Sequence, residues 1–399
     1  MKVRSWFMCL LVAVFLGFSG VAWAADYHVG IVTGTVAQGE DEFRGAEAMI
    51  AAYGDVKDGG MIQHVTYPNN FAAEQETTIS QIVSLATDPK MKAIIMNQAV
   101  PGATEGFRRV REMRPDIILL AGVAHEDPLV IGKVADLVMR NDFVSAGYRV
   151  VWAAKQLGAD TFVHISFPRH MSVETLTRRR MVFEEACKDL GIMWVFETAP
   201  DPLSDIGIVG AQQYLLENVP KWVEKYGTNA SFYCTNDAHT EPLIRQVVEY
   251  GGTFVEASLP SPLLGFPGAL GIDLSAEKGN FGAIMKKIEE VLVSKNAGGR
   301  LGTWSYSFPF CATTGLVEHA VNVINGDSKM TDMQDLLKAF AKHTPGADWA
   351  GSFYVDGTTG VKLDNYVLLL QDTYIFGKGY IGSAALDVPE KYLKISSGL

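Results

Sequence analysis

The sequence predicts an α/β protein made of two similar Rossmann-like lobes with parallel sheets. Three observations point there. From residue 26 onward, short aliphatic runs alternate with amphipathic runs of helical period. That rhythm plays twice: strand starts lie 34, 31 and 24 residues apart in the first half and 31, 38 and 23 in the second. The strands are apolar almost throughout, the pattern of parallel sheets covered by helices on both faces.

The first series of strands reads HVGIV (28–32), IQHVTY (62–67), AIIMN (93–97) and IILLA (117–121). Between them lie helical runs at 39–53, 72–86 and 103–113. In the second run Ile79, Ile82, Val83 and Ala86 share one face, the spacing of a helix packed on a sheet. The second series reads TFVHIS (161–166), IMWVF (192–196), ASFYCT (230–235) and TFVEA (253–257), with helices over 173–191, 208–226 and 239–252. ADLVMRND (135–142) is the natural first crossover between lobes. SLPSPLLGFPGALGIDL (258–274), rich in proline and glycine, reads as a second. This predicts a first lobe over 25–138 with return segments over about 275–330, and a second lobe over 139–262. The segment 331–399 holds a helix and a long apolar strand that the sequence assigns to neither lobe.

Residues 1–24 read as an address. Lys2 and Arg4 precede the apolar core Phe7–Phe18, and Ala22 and Ala24 stand at the −3 and −1 positions before Ala25. That is a secretory leader cleaved after Ala24, too short in its core for a membrane span. The expected location is the periplasm. Cleavage takes the net charge from −11 to −13. Such an acidic chain lacks the dense basic face that nucleic-acid phosphates need. Cys187, Cys234 and Cys311 remain, an odd number, read as buried thiols rather than a disulfide framework.

Motifs for catalysis are missing. The sequence has no G-x-S-x-G elbow, H-E-x-x-H, C-x-x-C or Walker loop, and nothing asks for a cofactor or a metal. Gly377 to Gly382 matches G-x-G-x-x-G, but no helix or distant acid follows it, so a glycine-rich turn is expected.

Three segments carry a resemblance to a known superfamily. VMRNDFVSAGYRVVWAAKQLG (138–158) places an Asp before a glycine-containing helix. TRRRMVFEEACKDLGI (177–192) is an arginine-bearing helix, and FYCTNDAHTEPLIRQVVEYGG (232–252) is a strand ending in Asn-Asp. In this order and spacing the chain resembles the type I periplasmic binding proteins, above all their sugar-binding branch, from about Tyr27 to Gly326. The resemblance implies two lobes joined by a multi-strand hinge and closing on a solute. It also singles out Arg180 among Arg178, Arg179 and Arg180. The match departs from the sugar branch at Met181–Phe183 and at FVEASLPSP (254–262), where a Gly-x-Asp turn would be expected.

In open parallel sheets, ligands sit beyond the carboxyl ends of the strands, which gives a list of candidates independent of the family. In the first lobe these are Thr33, Thr35 and Gln38, then Tyr67, Asn69 and Asn70, then Asn97 and Gln98, then His125. In the second they are Arg169, followed by Asn236 and Asp237. Asp142 stands at the crossover, as a ligand contact or as a hinge cap. Asn97 and Asn236 are equally suited to capping the helices that follow them. Amides and hydroxyls dominate, the chemistry of a small polar solute.

The expected function is that of an extracytoplasmic receptor delivering such a solute to a membrane permease. Two alternatives stand beside it: a sensory receptor for a chemoreceptor or sensor kinase, and an exported hydrolase using the His125–Asp127 loop.

Overall fold

The computed structural model describes residues 25–396; the expected leader lies outside them. The chain starts in lobe 1 with β1 (His28–Thr33), α1 (Val36–Tyr53), β2 (Ile62–Thr66), α2 (Gln75–Leu85), β3 (Met91–Asn97), α3 (Ala103–Met113), β4 (Ile118–Gly122), α4 (Pro128–Ile131) and β5 (Leu137–Asn141). It crosses at Asp142 into lobe 2: α5 (Phe143–Gln156), β6 (Thr161–Ser166), α6 (Glu174–Leu190), β7 (Met193–Thr198), α7 (Gly207–Tyr226), β8 (Ala230–Cys234), α8 (Asp237–Tyr250), α9 (Phe266–Leu270), α10 (Phe281–Ser294) and β9 (Gly302–Trp304). It returns to lobe 1 with α11 (Phe308–Ile324), α12 (Met333–Lys342), β10 (Trp349–Val355) and β11 (Lys362–Gln371). A last crossing leads to β12 (Thr373–Ile375), β13 (Gly379–Tyr380) and α13 (Glu390–Leu393) on lobe 2.

Lobe 1 holds a seven-stranded sheet in the order β10-β11-β5-β4-β3-β1-β2. Every pair is parallel except β10 with β11. The sheet is apolar on both faces because both are covered. Val29, Ile31 and Ile95 pack in one cluster with α1 and α11, and Val32, Ile94 and Met96 pack in another with α2 and α3. Gly45 lets α1 approach α11 closely: a Cβ there would lie 2.8 Å from the Thr313 Cβ and 3.0 Å from the Phe310 carbonyl oxygen.

Lobe 2 is built on the parallel trio β7-β6-β8 and the antiparallel trio β13-β12-β9. Single bridges Ser231↔Thr253 and Phe254↔Leu301 join the two. The expected strand 253–257 is therefore reduced to two bridged residues. Only Thr253 and Phe254 find partners before the prolines Pro260 and Pro262 remove ladder donors.

The structure corrects the second crossover. The stretch 258–274 stays on lobe 2, where it forms α9 against α8 and buries Phe266. The chain crosses instead at Ser305–Ser307. Prolines and glycines marked the irregular backbone correctly, but the apolar residues among them are core rather than linker. The return to lobe 1 thus begins at α11, with α10 left on lobe 2, where Glu289 accepts a hydrogen bond from the Tyr374 hydroxyl after β12 begins. The C-terminal segment is divided between the lobes. Cys187, Cys234 and Cys311 are each buried and free. The 377–382 glycine motif makes the turn between β12 and β13 and the loop that follows, with Gly377, Gly379 and Gly382 all at positive φ.

Candidate functional site

The carboxyl ends of the lobe 1 strands form one wall of an interlobe cavity of about 580 Å³. At its centre is a residue absent from the strand-end candidates. Glu42 lies on the buried stripe of α1 with Gly45, Ala46 and Met49 and is 1% exposed. Its Oε1 accepts from the Tyr67 hydroxyl (3.1 Å) and the Gly34 amide (3.3 Å), and its Oε2 accepts from Gln98 Nε2 (3.0 Å). Gln98 Oε1 in turn meets His125 Nε2 at 3.2 Å. Phe71 stands edge-on to both Tyr67 and His125. Burial pushes the Glu42 carboxyl up to about 7 against the pull of Gln98, Tyr67 and Gly34. Burial also holds the His125 imidazole down at about 4, helped by Arg140, so it is neutral. Gln98 takes φ of 21° to make this reach, a strained backbone for a residue with a Cβ.

The other lobe 1 candidates are spent differently. Thr33 is buried beneath the wall, bonded to His64 Nε2 at 2.8 Å and to the Gly34 carbonyl. Thr35 donates to Asn69 Oδ1, at the outer end of the cleft. Gln38 and Asn70 are exposed. Asn97 faces away from the cavity and is fully buried. Its Nδ2 donates to the Pro309 carbonyl (2.7 Å) and to Thr313 Oγ1 (2.8 Å), which pins β3 to α11.

Asp41, another residue outside the candidate list, links the lobes. Its Oδ2 accepts from Ser261 Oγ of lobe 2 at 3.1 Å and from Ser307 Oγ at the second crossing. Burial raises its carboxyl above the usual range. Asp142 caps α5 at the first crossing, accepting from the Ser145 amide at 2.9 Å.

On the lobe 2 wall, Asn236 caps α8 by accepting from the Ala238 amide at 2.9 Å. Asp237, the next residue, lines the cavity. Its side chain is open to the water of the cleft, yet the surrounding walls desolvate it enough to push its carboxyl up to about 6, with Arg179 pulling the other way. Arg169 forms a two-pronged pair with Asp201 (2.6 and 2.8 Å) and lies over the Phe167 ring. Arg180 stacks 4.8 Å from the centre of Phe196.

Arg179 instead reaches the hinge. It is 1% exposed, donates to Ser258 Oγ at 3.1 Å, and lies over Phe143 (4.7 Å) and Tyr233 (5.0 Å). Arg140 covers the same Phe143 ring at 4.9 Å. Among the described residues no carboxylate lies within ion-pair distance of Arg179, and burial lowers its affinity for its proton. Neither Arg179 nor Arg180, which the resemblance singled out, is among the residues lining the cavity. The signal for the burial of Arg179 was present: it shares a helical stripe with Leu176, Val182, Phe183 and Ala186, all buried. Glu42 carries the same signature on α1.

The rest of the lining is mixed, with the cations Arg44 and Lys278 and the hydroxyls of Ser261 and Ser275 beside apolar side chains. Leu259, Leu263, Leu264 and Ile284 face the carboxylates of Asp41, Glu42 and Asp237. These leucines come from the stretch read as a linker. The loop offered as a hydrolase centre is not assembled as one. Asp127 caps α4, Glu126 accepts from the Gly102 and Thr104 amides, and His125 meets an amide side chain. Among the described residues no group of three or more His, Cys, Asp or Glu side chains is placed to hold a metal ion.

Two lobes of parallel sheet facing one cavity, with three crossings, define the fold of the type I periplasmic binding proteins. A protein from Clostridium difficile 630, described as a candidate transcriptional regulator, superposes with a TM-score of 0.78 at 22% identity over 88% of this chain and 99% of its own. A sugar ABC transporter from Actinomyces odontolyticus ATCC 17982 shares the fold with a TM-score of 0.52 at 9% identity, over 77% of this chain and 86% of its own. Within that fold, the chain belongs to the family of proteins of unknown function DUF3798, whose model matches residues 27–302. A second family model matches residues 313–395. Two uncharacterised proteins of Treponema pallidum (strain Nichols) are 39% identical over 220 residues and 43% identical over 185. The first match spans 55% of this chain and all of the relative, the second 46% and 84%.

Proposed function

We propose that this protein is an extracytoplasmic solute receptor that closes its lobes on a small polar molecule and presents it to a membrane import system, of ABC type. The observation that carries the reading is the cavity itself. It lies at the carboxyl ends of both sheets, draws walls from both lobes, and sits beside a three-stranded crossing that can act as a hinge. The secretory pattern of residues 1–24 supports the location. The solute class follows from the lining. Lobe 1 offers the carboxylates of Asp41 and Glu42 with Arg44 nearby, and lobe 2 offers the Asp237 carboxylate and Lys278 beside leucine side chains. A solute with hydrogen-bond donors at one end and an apolar flank satisfies both.

A ligand that binds only the folded protein raises its stability by about 2.7 kcal/mol at a hundred times its dissociation constant, a shift of a few degrees in melting temperature. We expect such a shift from at least one member of a panel of amines, amino acids, nucleosides and sugars. Asp237→Asn should remove it without lowering the unliganded melting temperature. Native mass spectrometry of protein purified from its exported form, without refolding, should show the co-purified solute. A panel with no response together with an empty mass spectrum would defeat the receptor reading.

A further inference from the structure

A second cavity, of about 260 Å³, lies away from the cleft against the hinge. Four aromatic rings line it: Phe281 of α10, Tyr306 at the second crossing, Tyr374 of β12 and Tyr380 of β13. Phe281 and Tyr306 stand 5.3 Å apart between centroids, tilted, and Tyr374 and Tyr380 stand 5.2 Å apart at 87°. These rings thus present both faces and edges rather than one stacked core. Tyr380 is 42% exposed, and its hydroxyl donates to Ser305 Oγ at 2.8 Å.

The lining carries one carboxylate, Glu289, and one ammonium, Lys286. Glu289 Oε2 alone accepts from both the Tyr374 hydroxyl (2.9 Å) and the Gly377 amide (2.8 Å). Asp372 and Asp348 act electrostatically on the Tyr380 hydroxyl. Lys286 is the opposing charge on the wall; its nearest acid is Glu290, at 3.9 Å. Pro345, from lobe 1, closes one side, and its carbonyl accepts from the Tyr306 hydroxyl at 3.0 Å. The pocket therefore straddles the two lobes.

Aromatic faces attract cations through their quadrupoles, and an adjacent carboxylate adds to that attraction. Fixed metal sites need converging oxygen or nitrogen donors, which this cavity does not offer. An organic cation needs rings and a carboxylate beside them, which it offers in Tyr374, Tyr380 and Glu289. We propose that the Tyr306–Tyr374–Tyr380–Glu289 pocket is a binding site for a small organic cation of the quaternary or methylated ammonium class, separate from the solute cleft. Because one wall belongs to each lobe, its occupant would be in contact with both.

The test is calorimetric titration of the full mature chain with choline chloride, against sodium chloride at matched ionic strength and against 3,3-dimethyl-1-butanol, the uncharged carbon isostere of choline. The expected result is saturable choline binding at millimolar concentration and binding of the isostere weaker by about tenfold or more. Tyr380→Leu, at an exposed position, should abolish binding, and Glu289→Gln should weaken it by roughly three- to tenfold. Asp237→Asn should leave it unchanged. Equal binding of the isostere, no saturable choline binding, or loss of binding in Asp237→Asn but not in Tyr380→Leu would each overturn the proposal. The last outcome would place the cation in the solute cleft and leave the receptor reading intact.

Discussion

The third strand of each lobe leads into an asparagine and a second polar residue: β3 ends in Asn97, followed by Gln98, and β8 is followed two residues on by Asn236 and Asp237. Their positions in the two sheets correspond, but their roles do not. Asn97 turns away from the cleft and holds β3 to α11, an element that arrives more than 200 residues later in the chain. Gln98 then links Glu42 to His125 across the wall. In lobe 2 Asn236 serves only the helix that it begins, and Asp237 is left facing the cavity. Asn97 is thus tied to a distant element while Asn236 makes a local bond and Asp237 faces the cavity. The cross-links of the lobe 2 strand ends are made instead by Thr235 with Ser166 and His170 and by Arg169 with Asp201. The difference follows from α11, which packs on α1 and on β3 of lobe 1, where Asn97 meets it, while Asn236 has only its own helix to serve.

Four measurements would break or sharpen that contrast. Asn97→Ala orphans buried partners on two elements and leaves a small void, so it should cost about 3 kcal/mol in denaturant unfolding. A cost no larger than that of Asn236→Ala would end the comparison.

The next effect is one of pH. The folded Glu42 holds its proton up to about 7, above the value of an unfolded glutamate, so the native state binds that proton more tightly. Its contribution is complete below about pH 4.5 and is lost as pH rises through 7, on the order of 2 kcal/mol. Burial pushes Glu256, which accepts from Trp304 Nε1 and Thr373 Oγ1, to about 7 as well, so it shares the window. Glu42→Gln should remove this downward contribution between those limits, leaving the opposite, upward contribution of His64, His125 and His170, each held down at about 4, less opposed. An unchanged curve would show that the carboxyl titrates normally.

Asn236→Ala removes one helix cap and should cost about 1 kcal/mol. The smallest effect belongs to Arg169→Ala. Its pair with Asp201 is exposed on the arginine side, and such pairs contribute about 0–1 kcal/mol. A loss well above that would mean that the lobe 2 wall is more tightly built than its bonds indicate.

The parallel core was legible because both faces of the central lobe 1 strands β1 and β3 are buried, which forces runs such as VGIV and AIIM. The strand ends were legible as places for the same reason: the sheet must stop where polar residues begin. Which way each end residue points was not legible, since Asn97 is fixed by Pro309 and Thr313, far off in sequence. Glu42 and Arg179 were readable in principle, as charges on the apolar stripes of α1 and α6. They were passed over because charged residues on such helices usually face water. The linker reading of 258–274 failed because glycine and proline report local backbone shape and say nothing about whether neighbouring leucines are buried.

The three crossings also bear on how the protein is made. Lobe 1 lacks β10 and β11 until residue 371 is available, and lobe 2 lacks β12 and β13 until residue 380. The strands that finish both sheets pair with partners synthesised long before, β11 with β5 and β12 with β9. Contacts so distant in sequence form slowly and cannot be rehearsed by a partial chain. A nascent chain stopped after α12 would carry two open sheet edges, β5 in lobe 1 and β9 in lobe 2, so neither lobe completes its sheets before the C-terminal segment is made.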